Sequence, residues 1–184
     1  ELYLYKRRGL LSSMLSLADL YFPEIEVTLD KNGLPMELRY LVIVESALNP
    51  KAISPAGAAG LWQLMLPTGK IYGLSINSLV DERMDPIKST EAACRFLKDL
   101  YNIYGDWWLV LAAYNCGPGN VNRALKRSGV SKANFWDIYR YLPNETRRYI
   151  PLFIGAYFAM HYHREYGIVP RELGRPLATE YYTA

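Results

Sequence analysis

Tyr40-Leu41-Val42-Ile43-Val44-Glu45-Ser46-Ala47-Leu48-Asn49-Pro50 sets one carboxylate at the end of an apolar run and closes the run with an Asn-Pro pair that stops a helix. With Pro35 in the first helical turn upstream, Leu38, Leu41, Val42 and Glu45 fall on one stripe. Glu45 therefore shares the face meant for burial. A carboxyl held in an apolar wall loses the hydration that favours its charged form. Its pKa rises, and it keeps a proton to donate near neutral pH, which a general acid requires. The competing reading is a helix-end glutamate that snorkels to water or pairs with Arg39, and the stripe alone does not choose between them.

Outward from that stripe the chain reads as mainly α. Leu2 to Leu20 and Pro23 to Asp30 carry apolar residues three and four apart, and Asn32-Gly33 closes them before Leu34-Pro35 opens the Glu45 helix. Asn49 to Gly60 is a loop rich in Pro, Ala and Gly. Asp85-Pro86 then offers a cap with proline at the first helical position. The stripe Ile87, Thr90, Ala93, Cys94, Leu97, Leu100, Tyr101, Tyr104 follows to Gly105. Asp106 caps Trp107 to Asn115, which stops at Cys116-Gly117-Pro118-Gly119, and Val121 to Arg127 forms another helix before Ser128-Gly129. Asn144 is expected to cap a last long helix through Tyr166, kinked near Pro151. A short hairpin within Ile53 to Ser78 stays open as an exception.

With 184 residues and 51% hydrophobic letters the chain is expected to form one globular domain with a real core. The formal charge is +3, and only Lys6-Arg7-Arg8 and Arg147-Arg148 cluster. That balance suits an anionic polymer better than nucleic acid, for which there is no recognised motif. The longest apolar stretch, Ile150 to Met160, is too short to span a bilayer. The chain starts at Glu1 and shows no signal peptide, so it reads as a trimmed piece of a longer precursor. His161 and His163, two apart on a helix, point to different sides, so no metal site is expected. Cys94 and Cys116 flank Gly105 at equal distance and similar height. A bridge between them is conceivable, with two buried thiols as the preferred reading. Trp107, Trp108 and Trp136 are expected in the core.

Four segments combine into a more specific pattern: Glu45-Ser46 before Ala47-Leu48-Asn49-Pro50, Ser54-Pro55-Ala56-Gly57-Ala58-Ala59-Gly60-Leu61-Trp62-Gln63-Leu64-Met65, Ala112-Ala113-Tyr114-Asn115-Cys116-Gly117-Pro118-Gly119, and Glu145-Thr146-Arg147-Arg148-Tyr149. In order and spacing they resemble the catalytic domain of the soluble-type lytic transglycosylases, closest to the membrane-bound murein transglycosylase D group. The resemblance covers roughly Leu20 to Tyr166, leaving residues 1–20 as a helical extension and 167–184 as a tail. It implies a lysozyme-like fold acting without cofactor, as a monomer, on peptidoglycan glycan strands in the bacterial envelope, periplasmic and with any membrane anchor outside this chain. The expected reaction cleaves the β-1,4 bond between N-acetylmuramic acid and N-acetylglucosamine and leaves a 1,6-anhydromuramyl end. A hydrolytic muramidase and a non-catalytic murein-binding module are the alternatives.

The family's motif glutamate falls on Glu45, which would serve first as acid and then as base. Because the nucleophile is the sugar's own C6 hydroxyl, one carboxylate suffices where an ordinary glycosidase needs two. The acids of Asp81-Glu82-Arg83-Met84-Asp85 are read as a helix cap and local ion pairs with Arg83. Ser46 would donate to the carboxylate or to a substrate N-acetyl group, its alternative being back-bonding to the helix. Gln63 and Asn115 carry amides able to donate and accept at once, and Asn115 could instead be a simple helix cap. Met65 takes a cleft position by the resemblance, Tyr114 is grouped with the substrate-binding residues with a core position as its alternative, and the Tyr149 hydroxyl would orient the acid, its alternative being a buried ring with a satisfied hydroxyl. Gly57, Gly60, Gly117 and Gly119 are assigned to backbone geometry.

Overall fold

Leu109 to Ala113, buried without interruption, mark the helix around which the chain is assembled. The computed structural model describes residues 2–172. In chain order its helices are α1 (Arg8–Lys31), α2 (Leu41–Ser46), α3 (Leu66–Ile71), α4 (Pro86–Tyr104), α5 (Trp107–Cys116), α6 (Pro118–Ser128), α7 (Phe135–Ile138) and α8 (Asn144–His161). A π-helical turn, Leu2–Lys6, precedes α1. α5 packs against α4, α6 and α8 and is apolar nearly all round, with Trp108 left on the side that no helix covers. α1 lies across α4 and the 3-10 turn Met36–Tyr40.

α1 is one continuous helix where the sequence reads as two. Pro23 lies inside it but is exposed, so the Asp19 carbonyl that loses its partner faces water instead of the core. The boundary expected at Leu20 thus falls within a helix, whose Leu11, Met14, Leu15, Ile25 and Leu29 all join the core. The segment after α8 returns along α1. The Arg171 amide donates to the Ser12 carbonyl at 3.1 Å, and Ser12 Oγ donates to the Val169 carbonyl at 2.6 Å. Of the expected tail 167–184, residues 173–184 lie outside the described residues.

Three caps fall as the sequence predicts. Asp85 accepts from the amides of Ile87 and Lys88, Asp106 accepts from Leu109, and Gly105 ends α4 in the left-handed region. Asn144 is not a cap: Pro143 holds that position, Asn144 opens α8 and accepts from Arg147, and the helix ends at His161, short of Tyr166. The hairpin left open within 53–78 is absent as such. Isolated antiparallel bridges pair Ile53 with Ala59, Ala59 with Leu64 and Ile76 with Asp81. Trp108 and Trp136 are exposed and Trp107 is half-buried, whereas Trp62 is the fully buried tryptophan and donates Nε1–H to Thr90 Oγ1 at 2.8 Å. Helical periodicity misplaces Trp108 because α5 is apolar all round and carries no face signal. Cys94 is a buried free thiol that desolvation pushes up to about 12, and Cys116 is a half-buried free thiol.

Candidate active site

Glu45 is carried by a helix of six residues, entered from a 3-10 turn in place of the longer regular helix the sequence suggests. Leu38, Leu41 and Val42 of the predicted stripe are buried and anchor it. The helix stops immediately after Ser46: Ala47 and Leu48 both take positive φ, 51° and 62°. The Leu48 amide donates back to the Val42 carbonyl at 3.1 Å and the Ala47 amide to Ile43 at 3.2 Å. Two successive non-glycine residues in this region are costly, and burial of Leu48 holds them there. The turn leaves Glu45 at the end of the helix, half-buried with one side open.

Tyr149, buried on α8, donates its hydroxyl to Glu45 Oε1. The Glu45 carboxyl is raised from 4.5 to about 7, first by desolvation, then held back by the Tyr149 hydrogen bond and raised again by the Glu145 charge. The Tyr149 phenol is pushed well above its usual range by burial and by the neighbouring Glu45 charge, so it stays a donor. Tyr114 is raised too, by burial and then by the Glu45 charge, and its hydroxyl donates to the Trp62 carbonyl at 2.6 Å.

A cavity of about 260 Å³ is lined by Gln63, Met65, Thr68, Tyr114, Asn115 and Cys116 among others. Gln63 donates both Nε2 hydrogens inward, to the Ala52 carbonyl at 3.1 Å and the Gly60 carbonyl at 2.9 Å, so only Oε1 is free. Its backbone is left-handed, φ 48°, which turns the side chain back over its own loop. That loop is pinned from below by Arg83. The buried guanidinium donates to the carbonyls of Gly57 at 2.8 Å and Leu64 at 3.0 Å, and pairs with Asp81 at 2.6 Å. Asn115, at the end of α5, accepts from Thr146 Oγ1 at 2.8 Å. Met65 is exposed on the same rim.

The structure thus joins Glu45 to Tyr149, and brings Gln63, Met65, Tyr114 and Asn115 to one cavity. Ser46 is different: its hydroxyl lies against the Val42 carbonyl at 3.1 Å and the Leu61 carbonyl at 2.9 Å, with no bond to Glu45. It ties the acid's helix to the Gln63 loop. The acids of Asp81 to Asp85 are occupied structurally: Asp81 with Arg83 and Asp85 as a cap, as read, and Glu82 not with Arg83 but with Lys88 at 2.5 Å. Gly57, Gly60 and Gly117 take positive φ, but Gly119 is an ordinary helical residue of α6. His161 stacks on Tyr157 with centroids 5.6 Å apart, and His163 Nδ1 lies 2.7 Å from the Ile168 carbonyl. Thr146 and Glu145 were missed as individuals. The signal was available: Thr146 and Tyr149 are three apart on one face of α8.

The transglycosylase SLT domain family matches residues 23–136, more than half of the sequence. The chain belongs to that family. The match contains Glu45, Ser46, Gln63, Met65, Tyr114 and Asn115, while Thr146 and Tyr149 lie beyond it. Membrane-bound lytic murein transglycosylase D of Escherichia coli (strain K12) is 36% identical over 166 residues, covering 89% of this chain and 36% of that protein. Membrane-bound lytic murein transglycosylase F of Shewanella sediminis (strain HAW-EB3) is 36% identical over 109 residues, 54% of this chain and 22% of that protein. This SLT domain therefore spans between 22% and 36% of the length of those curated relatives. The crystal structure of the 70 kDa soluble lytic transglycosylase of Escherichia coli matches with a TM-score of 0.64 at 28% identity, covering 79% of this chain and 24% of that one. The SLT domain's mainly α architecture is accordingly the lysozyme-like one that the motif resemblance implies. Among the described residues no helix is long and apolar enough to cross a membrane.

Proposed function

We propose that the protein is a peptidoglycan lytic transglycosylase acting in the bacterial envelope, on the periplasmic side, with Glu45 as acid and base. The observation that carries the reading is a single carboxyl raised to about 7 and held by Tyr149, together with a cavity lined by Tyr114 and two amides, while the acids of Asp81 to Asp85 are committed to structure. Protonated Glu45 gives its proton to the glycosidic oxygen between N-acetylmuramic acid and N-acetylglucosamine, and the C1–O bond breaks. The resulting carboxylate takes the proton of the muramyl C6 hydroxyl as O6 closes on C1. Glu45 ends protonated again, ready for the next bond, and no water is consumed. A hydroxyl carried by the same sugar has a high effective concentration at C1, which removes the need for a second carboxylate to activate water. Gln63 Oε1 and the Asn115 amide hold the sugar's acetamido groups, Met65 and Tyr114 border the path, and Ser46 supports the acid's helix.

Digestion of purified murein in heavy-oxygen water tests this directly. Products are expected to carry 1,6-anhydro ends, lighter by one water than hydrolytic fragments, with no label. Labelled reducing muramyl ends would replace the transglycosylase with a muramidase. Binding of murein without any new ends would reduce the protein to a binding module.

A further inference from the structure

We infer that Thr146 is a positioning residue that fixes Asn115 as a hydrogen-bond donor toward the cavity, and so makes the site selective for glycans that carry an acetamido group over those with a free amine. The inference deepens the proposed function and rests on it.

Thr146 is fully buried, in the first turn of α8, three residues before the tyrosine that holds Glu45. Its hydroxyl donates to Asn115 Oδ1 at 2.8 Å. A primary amide has an acceptor end and a donor end. With Oδ1 committed to Thr146, the donor end is the one left for the cavity. Asn115 is half-buried and lines the cavity. Gln63 presents the opposite polarity on the same cavity, because its two N–H groups are spent on the Ala52 and Gly60 carbonyls and only Oε1 remains. One acceptor and one donor complement a secondary amide, whose N–H and C=O meet Oε1 and Nδ2 respectively. A free ammonium offers donors only and leaves Nδ2 unpaired. A site built to hydrogen-bond a group discriminates strongly against analogues that lack it. Without the Thr146 hydroxyl the Asn115 amide has no fixed sense and can present either end. Thr146 touches no substrate; besides Asn115 its hydroxyl faces the Cys116 thiol, whose pKa it lowers against the upward pull of burial, and it reaches the cavity's polar recognition through Asn115.

The test compares wild type, Thr146→Val and Thr146→Ser on N-acetylated murein strands and on the same strands chemically de-N-acetylated, with product ends and melting temperature measured for each. Thr146→Val is nearly isosteric and removes only the donor. It is expected to raise KM on N-acetylated strands about tenfold, to leave kcat within about twofold and its pH dependence unmoved, and to erase the preference between strands. Thr146→Ser is expected to restore both KM and preference. A folded Thr146→Val with wild-type KM and preference overturns the inference, and so does a lowered melting temperature with the preference intact. If Thr146→Val fails to fold, Asn115→Asp carries the same test, since it still accepts from Thr146 but turns the cavity donor into an acceptor. Retention of the preference in that variant overturns the inference. Wild type that yields no anhydro ends on either strand fails the proposed function instead, a result distinct from any outcome at Thr146.

Discussion

Tyr149 on α8 gives its phenolic hydrogen to Oε1 of Glu45 at the end of α2, joining two residues 104 apart in sequence. The bond opposes the desolvation around the acid: burial drives the carboxyl toward its neutral form, and the phenol favours the charged one. Their balance, with the Glu145 charge added, is a pKa of about 7. A group at that value is present in both protonation states at neutral pH. It can donate in the first half of the proposed reaction and accept in the second without a large energetic cost for either form.

Opposite shifts are therefore expected from two substitutions on α8. The fall of kcat with rising pH reports loss of the protonated acid. Tyr149→Phe removes the hydrogen bond that lowers the Glu45 pKa, so that fall moves to higher pH, and kcat drops about tenfold because the carboxyl is no longer oriented. Glu145→Gln removes the negative charge that raises it, so the fall moves to lower pH. Profiles of kcat against pH that move in the same direction would contradict this balance.

Glu45→Gln separates catalysis from stability. Turnover of murein is expected to fall by at least about a hundredfold, with glycan binding retained. The folded pKa lies above the unfolded one, so between pH 4.5 and about 7 the native state binds the extra proton. Its stabilising effect is complete below that window and is lost as pH rises through it. Thermal unfolding should accordingly show the variant close to wild type at pH 4 and more stable than wild type at pH 8. Equal melting temperatures at both pH values would mean that Glu45 is not desolvated.

Much of the site was legible because each part announces itself locally. An acid on an apolar stripe, an Asp-Pro cap and a Gly after a buried helix are one-segment signals, and they predict Glu45, α4 and the end of α5. Three features were not legible, for separate reasons. Pro23 reads as a boundary, and only its exposed position in α1 explains why the helix continues. Trp108 reads as core, because hydropathy cannot tell which side of an all-apolar helix lacks a neighbour. Ser46 reads as a donor to the acid, but a helix end beside a loop offers it the Leu61 carbonyl, a partner fixed only by tertiary packing. Hydrogen-bond polarity at Asn115 is likewise a product of a contact from a distant segment, and at Gln63 of the way its own loop folds back on itself.

The loop that carries Gln63 offers a controlled comparison, because two of its glycines share a positive φ and differ in surroundings. Gly57 and Gly60 have φ of 85° and 83°. A Cβ on Gly57 meets nothing within 4 Å, whereas on Gly60 it would lie 1.7 Å from the Arg83 carbonyl oxygen. Gly57→Ala thus pays only for the left-handed backbone, about 1 to 2 kcal/mol. Gly60→Ala adds a main-chain clash that no rotamer can relieve, and should lose at least about 2 kcal/mol more, in the range of strongly destabilising changes. The Gly60 carbonyl also accepts from the Gln63 amide at 3.2 Å and from its Nε2 at 2.9 Å, so displacing it moves the side chain proposed to recognise substrate. Urea unfolding of both variants, with KM measured on murein, checks the argument. Gly57→Ala should keep its KM and Gly60→Ala should raise it, and equal stability losses would show that the approach of Gly60 to Arg83 does not shape the loop.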